Sequence, residues 1–248
     1  MSKLTAGIII IGDEILSGRT QDANSNYIAQ ELIKIGIQLI EIRVIQDNIN
    51  IIKNTVYEFH KAYTYIFTTG GIGPTHDDLT SESIAKAFNK KYTLHPKAFK
   101  ILEKYYPKGE FNESRKKMAM LPENSELILN PLTAAPGFNI ENVYVLPGIP
   151  NIMKKMFKSL LVNLKKGKPK KICTINTNLF EGTIASKLLK IQYNNTDCSI
   201  GSYPYFNYIE KNSGVNIVIS SWERENLTDI INEIINMISL LGGESSIV

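Results

Sequence analysis

The segment Thr68-Thr69-Gly70-Gly71-Ile72-Gly73-Pro74-Thr75-His76-Asp77-Asp78-Leu79-Thr80 joins a short β-rich run, Tyr63–Phe67, to a helical pattern, Ser81–Phe88. We call this segment the glycine corner. A strand, a glycine-rich turn and a helix start are typical of a phosphate-binding site, because glycine lets the backbone approach a ligand and a helix N-terminus offers unpaired N–H groups. Thr80 is expected to cap the helix.

The glycine corner differs from the two common nucleotide-binding loops. It lacks the Gly-Lys-Ser/Thr ending of a P-loop, and Gly70-Gly71-Ile72-Gly73 lacks the spacing of the Rossmann fingerprint. It also carries Asp77 and Asp78, which a plain anion site would not favour. Carboxylates beside a phosphate site usually hold a divalent cation between them. The alternative is a tight turn with solvated acids at a helix start.

Strand and helix patterns alternate through the first part of the chain. Leu4–Ile11 is nearly all apolar, which indicates a strand buried on both faces of a parallel sheet. The segments that follow are predicted to be a loop at Gly12–Gly18, a helix at Asp22–Ile35, a strand at Ile37–Ile45, a helix at Ile51–Tyr63 and a strand at Tyr65–Thr69. This order predicts an α/β domain with three layers, in which helices cover both faces of a parallel-rich sheet.

Acidic residues follow each of these three strands. Asp13 and Glu14 follow the first strand, Asp47 follows the second, and Asp77 and Asp78 follow the third. Ligands of open α/β sheets bind at the carboxyl ends of the strands. The sheet edge is therefore predicted to gather these acids around one cation or phosphate, although each can also simply solvate its own loop.

Further candidates lie between the glycine corner and residue 167. A helix is predicted at Tyr92–Tyr106, a rigid loop at Pro131–Phe138, and strands at Glu126–Leu129 and Asn142–Leu146. The segment Phe111–Leu121 carries Arg115, whose fork can bind phosphate with two hydrogen bonds, unless it lies on a solvated helix face. Pro147-Gly148-Ile149-Pro150 forms a second corner, which leads into a predicted helix at Asn151–Leu164.

Composition excludes several classes of protein. The 248 residues carry a net charge of +4, which is too small to indicate nucleic-acid binding by itself. Two distant cysteines, Cys173 and Cys198, indicate neither a zinc site nor a disulfide framework. The start of the chain leads directly into a strand, and no apolar run is long enough for a membrane span. We therefore expect a cytoplasmic protein with no membrane and no nucleic-acid partner.

A basic run broken by glycine and proline, Lys165–Lys171, is interpreted as a solvated linker. It divides the chain into a first domain, residues 1–167, and a small α+β module, residues 168–248. Strands are predicted at Ile172–Thr177, Asp197–Tyr203 and Gly214–Ser220, and helices at Glu181–Leu189 and Glu225–Leu241. Aromatic residues between the second and third of these strands are expected to crowd one loop: Tyr203, Tyr205, Phe206 and Tyr208.

Four motifs occur together and in order: Gly12-Asp13-Glu14-Ile15-Leu16, Gly70 to Thr80, Thr133–Gly137 and Pro147–Pro150. This set resembles the MoaB/Mog molybdopterin-binding domain family, most closely its CinA N-terminal type. It is also similar to the molybdopterin-binding-like domain of eukaryotic FAD synthase. The resemblance covers about residues 1–165, and the small module that follows in the family accounts for the rest.

The resemblance implies a phosphorylated pterin or a nucleotide as ligand, and a homo-oligomer, either a dimer or a trimer. In Mog-type proteins two aspartates at the positions of Asp47 and Asp78 carry adenylylation of molybdopterin. In CinA-like and FAD-synthase-linked relatives the implied activity is metal-dependent hydrolysis of a dinucleotide pyrophosphate, such as ADP-ribose or FAD. The 248 residues contain no counterpart of the CinA deamidase or FAD synthase domains, so neither of those activities is expected.

These arguments predict a metal-dependent nucleotide pyrophosphatase. Asp78 and Asp47 are expected to hold Mg²⁺, Mn²⁺ or Co²⁺, with Asp13 as a third acid or water orienter. The residues expected to bind phosphate or substrate are Gly70, Gly71, Gly73, Thr75, Arg115, Pro147 and Gly148. The alternative is a protein that binds molybdopterin or a nucleotide, with or without adenylyl transfer, and has no pyrophosphatase activity.

Overall fold

The computed structural model describes residues 3–207 and 212–248, and it divides into two compact units, Met1–Gly167 and Lys168–Val248. Within the described residues, every helix is too short or too polar to cross a bilayer.

The first unit alternates strands and helices. Its described strands are β1 (Thr5–Ile11), β2 (Gln38–Ile45), β3 (Tyr65–Thr69), β4 (Tyr92–Leu94), β5 (Met120–Pro122), β6 (Glu126–Ile128), β7 (Gly137–Ile140) and β8 (Val143–Leu146). Its described helices are α1 (Asp13–Leu16), α2 (Asn24–Lys34), α3 (Ile49–Ala62), α4 (Thr80–Ala87), α5 (Pro96–Tyr105), α6 (Glu113–Lys117) and α7 (Pro150–Leu160).

The main sheet of the first unit has the strand order β2-β1-β3-β8-β7-β6. The first four strands in this order are parallel to one another, whereas β7 and β6 are antiparallel to their neighbours. β4 and β5 form a separate antiparallel pair. The parallel-rich α/β sheet predicted from the sequence is confirmed, and its parallel strands bring the carboxyl ends of β1, β2, β3 and β8 to one edge.

The central strand β1 is buried on both faces of the sheet. Ile9 and Ile11 belong to a core cluster with residues of α3, α4 and α5, whereas Ile8 and Ile10 belong to a second cluster with residues of α2 and α7. Successive side chains of a strand point to opposite faces, so the run of isoleucines supplies both clusters. Burying each such side chain stabilises the fold by about 1.5–3 kcal/mol. The three-layer arrangement follows from this double burial.

Three local predictions in the first unit are wrong. The loop expected at Gly12–Gly18 contains the short helix α1, and the helix expected to start at Tyr92 begins only at Pro96, after β4. The loop expected at Pro131–Phe138 ends in β7, where Phe138 and Ile140 are buried against the sheet. Strands of three or four residues show too little alternation for the sequence to reveal them.

The second unit contains an antiparallel sheet with the order β10-β11-β9-β12. Its described elements are β9 (Lys171–Thr177), α8 (Glu181–Asn194), β10 (Ser199–Asn207), β11 (Asn212–Ser221), α9 (Thr228–Leu240) and β12 (Ser245–Ile247). Its core cluster joins α8 and α9 to β9 and β11. This is the small α+β module predicted from the sequence.

One prediction for the second unit is wrong. Tyr203, Tyr205 and Phe206 lie in β10, which extends to Asn207, so they do not form a loop. Tyr208 lies outside the described residues. The strand β12 pairs with β9 and was not predicted, since its three residues are too few to show a pattern.

Candidate functional site

A cavity of about 660 Å³ opens at the sheet edge where the parallel strands of the first unit end. The glycine corner and the loop Pro147–Pro150 form two of its walls. Seven of the predicted site residues line it: Gly70, Gly71, Gly73, Asp78, Arg115, Pro147 and Gly148. The fold therefore brings together residues that are up to 78 positions apart in the sequence, as the convergence of parallel strands requires.

Glycine is required at the start of the glycine corner. Gly70 and Gly71 have φ angles of +106° and +66°. A Cβ on Gly70 would lie 2.1 Å from the carbonyl oxygen of Ile11, and one on Gly71 would lie 2.2 Å from the hydroxyl of Thr80. Both positions therefore exclude a side chain by backbone conformation and by space.

Thr80 closes the glycine corner instead of capping the following helix. Its N–H donates to the Gly71 carbonyl and its hydroxyl donates to the Gly70 carbonyl, both at 3.0 Å. Helix α4 has Leu79 as its N-cap, and no side chain caps it. The predicted cap was wrong because the buried Thr80 hydroxyl is used to hold the turn.

The backbone of the glycine corner offers free donors. Among the described residues, the N–H groups of Gly71, Ile72 and Gly73 have no hydrogen-bond partner, whereas Gly70 N–H donates to Leu146. Successive unpaired N–H groups favour an anion such as phosphate.

Asp78 is fixed within the glycine corner. Its Oδ2 accepts hydrogen bonds from the N–H of Thr75 at 2.8 Å and from the hydroxyl of Thr75 at 2.5 Å. A Cβ on Gly73 would lie 2.7 Å from the same oxygen, so glycine leaves room for the carboxylate. Lys117 Nζ donates to the Thr75 carbonyl. Thr75 was predicted to bind phosphate, but its N–H and its hydroxyl both donate to Asp78. Thr75 also does not line the cavity.

Asp47 approaches the glycine corner from the neighbouring strand. Its Oδ2 accepts a 2.9 Å hydrogen bond from the N–H of Asp13, and its Oδ1 lies 3.4 Å from the position of a Cβ on Gly71. Asp13 has an exposed side chain, and neither Asp13 nor Asp47 lines the cavity, whereas Glu14 does. Asp47 thus lies beside Gly71 and Asp78 beside Gly73, so the two carboxylates flank the same turn.

The carboxylate of Asp47 lies in a negative environment. Burial raises the pKa of Asp47 above its ordinary value, and the negative charges of Asp13, Glu14 and Asp77 raise it further. The hydrogen bond from Asp13 N–H opposes part of this rise. Among the described residues no cationic side chain forms an ion pair with Asp47. The negative charge gathered here suits a bound cation.

The carboxylates of Asp47 and Asp78 suit a cation that binds together with a phosphorylated ligand. Within residues 3–207 and 212–248, no three His, Cys, Asp or Glu side chains converge as a complete metal cage. Mg²⁺ is usually bound by only one or two carboxylates, with substrate phosphates and water as its other ligands. Asp47 and Asp78 can supply those carboxylates, and the free N–H groups of the corner lie beside them.

Arg115 and Tyr106 line the cavity together. The Nη1 atom of Arg115 donates to the carbonyl of Glu110 at 2.6 Å and pairs with the Glu110 carboxylate at 3.0 Å. Its guanidinium carbon lies 4.1 Å from the ring centroid of Tyr106, which also lines the cavity. The fork is therefore partly occupied, and Arg115 with Tyr106 offers a flat surface suited to a ring.

Three further residues contribute to the site: Asn24, Asn130 and Tyr106. Asn24 donates from Nδ2 to the Gly148 carbonyl at 2.7 Å, which holds the loop before α7. Asn130 accepts from the N–H groups of Leu132 and Thr133 and donates to Ala135, so it shapes the wall between β6 and β7. The Asn-Pro pair at 130–131 is a turn signal that would have identified Asn130. For Tyr106 we find no such local signal.

Two family models match the chain. Residues 7–166 match the model described as a probable molybdopterin binding domain. Residues 171–241 match the model described as the middle domain of FAD synthase.

Individual relatives agree with these matches. A protein of Archaeoglobus fulgidus is 39% identical over 202 residues, which cover 82% of this chain and 86% of that protein. A putative competence-damage inducible protein of Clostridium botulinum (strain Langeland, type F) is 39% identical over 197 residues. That match covers 76% of this chain but 45% of the relative, so the chain spans slightly less than half of its length.

A solved structure has the same architecture as the first unit. The crystal structure of the protein CinA, of unknown function, from Thermoplasma acidophilum superposes with a TM-score of 0.60 at 30% identity. The superposition covers 64% of this chain and 98% of that one.

Proposed function

The chain belongs to the molybdopterin-binding domain family, with CinA and the competence-damage inducible proteins among its relatives, and we propose that it is a metal-dependent nucleotide pyrophosphatase. The substrate is a dinucleotide pyrophosphate such as ADP-ribose or FAD. The observation that carries the proposal is the pair of carboxylates, Asp47 and Asp78, on either side of a turn with free N–H groups.

The shape of the cavity supports a ligand with a charged part and a ring. The glycine corner supplies N–H donors, and Tyr106 with Arg115 supplies an aromatic surface. A volume of about 660 Å³ is within the range of small-molecule sites. We assign the pyrophosphate to the glycine corner and a base or flavin ring to the aromatic surface.

The chain's own residues have the following roles in this proposal. The N–H groups of Gly71, Ile72 and Gly73 hold phosphate oxygens, and Asp47 and Asp78 hold the cation. When bound, the cation neutralises the pyrophosphate and stabilises the leaving phosphate. Thr75 keeps Asp78 in position by its two hydrogen bonds.

The attacking water needs a group that accepts its proton. Asp13 was predicted to orient this water, but its side chain is exposed and its N–H is the group that contacts Asp47. Glu14 lines the cavity, and a Glu14 carboxylate oxygen is better placed to accept the proton. We therefore assign positioning of Asp47 to the backbone of Asp13 and water activation to Glu14.

The second candidate is binding of molybdopterin or a nucleotide, with or without adenylyl transfer and without pyrophosphate hydrolysis. It is supported by the match of residues 7–166 to the molybdopterin-binding model. A metal titration separates the two candidates. Release of mononucleotides that rises with Mg²⁺, Mn²⁺ or Co²⁺ and stops with EDTA supports hydrolysis, whereas ligand binding with no product at any metal concentration supports binding alone.

A further inference from the structure

A second, smaller cavity adjoins the large one. Its volume is about 60 Å³, and it shares Glu14, Thr20, Gly148 and Pro150 with the walls of the large cavity. Asn24 at the start of α2 and Thr69 at the end of β3 line the small cavity only. A group projecting from a ligand in the large cavity can therefore reach it.

Two buried oxygens of this small cavity lack hydrogen bonds. Asn24 is 5% exposed and Thr69 is 1% exposed, and neither Asn24 Oδ1 nor Thr69 Oγ1 has a partner among the described residues. Buried polar atoms are nearly always hydrogen-bonded, so two orphans around one cavity require an explanation. A bound group that pairs with both oxygens provides it.

The chemistry of the two oxygens restricts the group that fits. Asn24 uses its Nδ2 on the Gly148 carbonyl, so its remaining Oδ1 can only accept. The Thr69 hydroxyl can both donate and accept. An anion offers no donor to Asn24 Oδ1 and would face the carboxylate of Glu14. A hydroxyl donates to one oxygen and accepts from the other, and it needs little space.

The position of the small cavity indicates which hydroxyl. Thr69 directly precedes Gly70, so the orphan hydroxyl and the phosphate-binding turn are adjacent in the chain. A nucleotide carries a 5′-phosphate and two free hydroxyls on one ribose ring. We propose that the small cavity binds a ribose hydroxyl, which Asn24 accepts from and Thr69 donates to. This inference rests on the proposed binding of a nucleotide phosphate at the glycine corner.

The test compares the binding of AMP, 2′-deoxy-AMP and 3′-deoxy-AMP by calorimetry in the presence of Mg²⁺. The protein is expected to bind AMP about tenfold to thirtyfold more tightly than one of the two deoxy analogues, because the two hydrogen bonds of the missing hydroxyl are lost. Thr69→Val should lower this ratio several-fold, since only the hydrogen bond to Asn24 then remains, while Thr69→Ser should keep it. The AMP preference should thus follow the presence of the hydroxyl at position 69.

Thr68→Val is the matched control. Thr68 precedes Thr69 in β3, is 0% exposed, and also has a hydroxyl without a partner, but it lines neither cavity. This variant should keep the preference for AMP. If it reduces the preference as much as Thr69→Val does, the effect is one of folding, and the assignment to the small cavity is wrong.

Equal binding of all three mononucleotides by the unaltered protein would overturn the inference and leave the small cavity to a water molecule. Metal-dependent hydrolysis of a dinucleotide would remain possible in that case. Conversely, a preference for AMP with no cleavage of any dinucleotide would overturn the pyrophosphatase proposal and support the hydroxyl site. Failure to bind any mononucleotide would overturn the hydroxyl site, and dinucleotide cleavage would then decide the pyrophosphatase proposal separately.

Discussion

The N–H of Asp13 donates a 2.9 Å hydrogen bond to the carboxylate of Asp47. Ile11 and Ile45 are paired at the ends of β1 and β2, so each aspartate lies two residues beyond its strand. The bond ties the two loops together at the sheet edge. Because the donor is the main chain, the position of Asp47 depends on the backbone of Asp13 and not on its carboxylate.

Asp13→Ala should therefore retain most of the hydrolytic activity, within about threefold, since alanine keeps the N–H donor. Glu14→Gln should lower kcat by about 10²-fold, because an amide cannot accept the proton of the attacking water. Steady-state kinetics of both variants decide the roles. If Asp13→Ala loses most of its activity while Glu14→Gln stays fully active, water activation belongs to Asp13 and not to Glu14.

Asp78→Asn should abolish most turnover, by about 10²-fold to 10³-fold, and leave folding nearly intact. The amide oxygen of asparagine can still accept from Thr75, so the glycine corner keeps its hydrogen bonds, but the charge that holds the cation is lost. Initial rates and a thermal melt of the same preparation measure both effects. Full activity in this variant would refute the role of Asp78.

Gly73→Ala should lower kcat by about 10²-fold with little loss of stability, because its Cβ would meet Asp78 Oδ2 at 2.7 Å and displace the carboxylate. Gly182→Ala in α8 is the control, since a Cβ there meets nothing within 4 Å. The control should be as active as the unaltered protein. Unchanged kcat in Gly73→Ala would show that the position of Asp78 is not critical.

Arg115→Met should raise KM about tenfold with a smaller effect on kcat, because it removes the flat guanidinium on Tyr106. Arg115→Lys should not restore KM, since an ammonium does not stack as a plane. Lys116→Met is a control on the same helix, where Lys116 forms an exposed pair with Glu113. A KM that rises equally in the control would indicate a general charge effect.

The stability of the second unit should depend on pH through the ionisation of Asp197. Arg224 donates to both carboxylate oxygens of Asp197, at 2.6 and 2.9 Å, and these hydrogen bonds lower the pKa of Asp197. The stabilisation is present above the unfolded-state pKa of about 3.9 and is lost as pH falls through the lower folded-state pKa. Arg224→Met should therefore destabilise the second unit at pH 7, and by less as the pH falls below about 4.

The fluorescence of Trp222, the only tryptophan of the chain, reports this unfolding. Asp197→Asn and the double variant complete a mutant cycle, which isolates the coupling of the two side chains. A coupling free energy between the two side chains that does not change with pH would show that this ion pair is not the source of the pH dependence.

The central architecture could be predicted from the sequence because its signals are local. The apolar run of β1 and the glycine corner after β3 each carry their own pattern, and parallel strands must end at one edge. That edge places Asp47 and Asp78 beside the same turn. β4, β5 and β7 were missed, since three or four residues carry almost no periodicity.

The partners of individual side chains could not be predicted, because they depend on contacts made only in the folded chain. Thr75 binds Asp78 and Arg115 binds Glu110, and both pairings alter the roles expected for phosphate binders. Asn24 and Gly148 are 124 positions apart and meet only because α2 and the loop before α7 converge. No local pattern reveals such a pairing.

The most direct test of the proposed function is product analysis with ADP-ribose, FAD and NAD in the presence of Mg²⁺, Mn²⁺, Co²⁺ or EDTA. The proposed mechanism predicts that at least one dinucleotide is cleaved to AMP and a second phosphate ester, that cleavage requires the metal, and that Asp78→Asn abolishes it. Absence of AMP from every dinucleotide with every metal would contradict the pyrophosphatase proposal and favour molybdopterin or nucleotide binding.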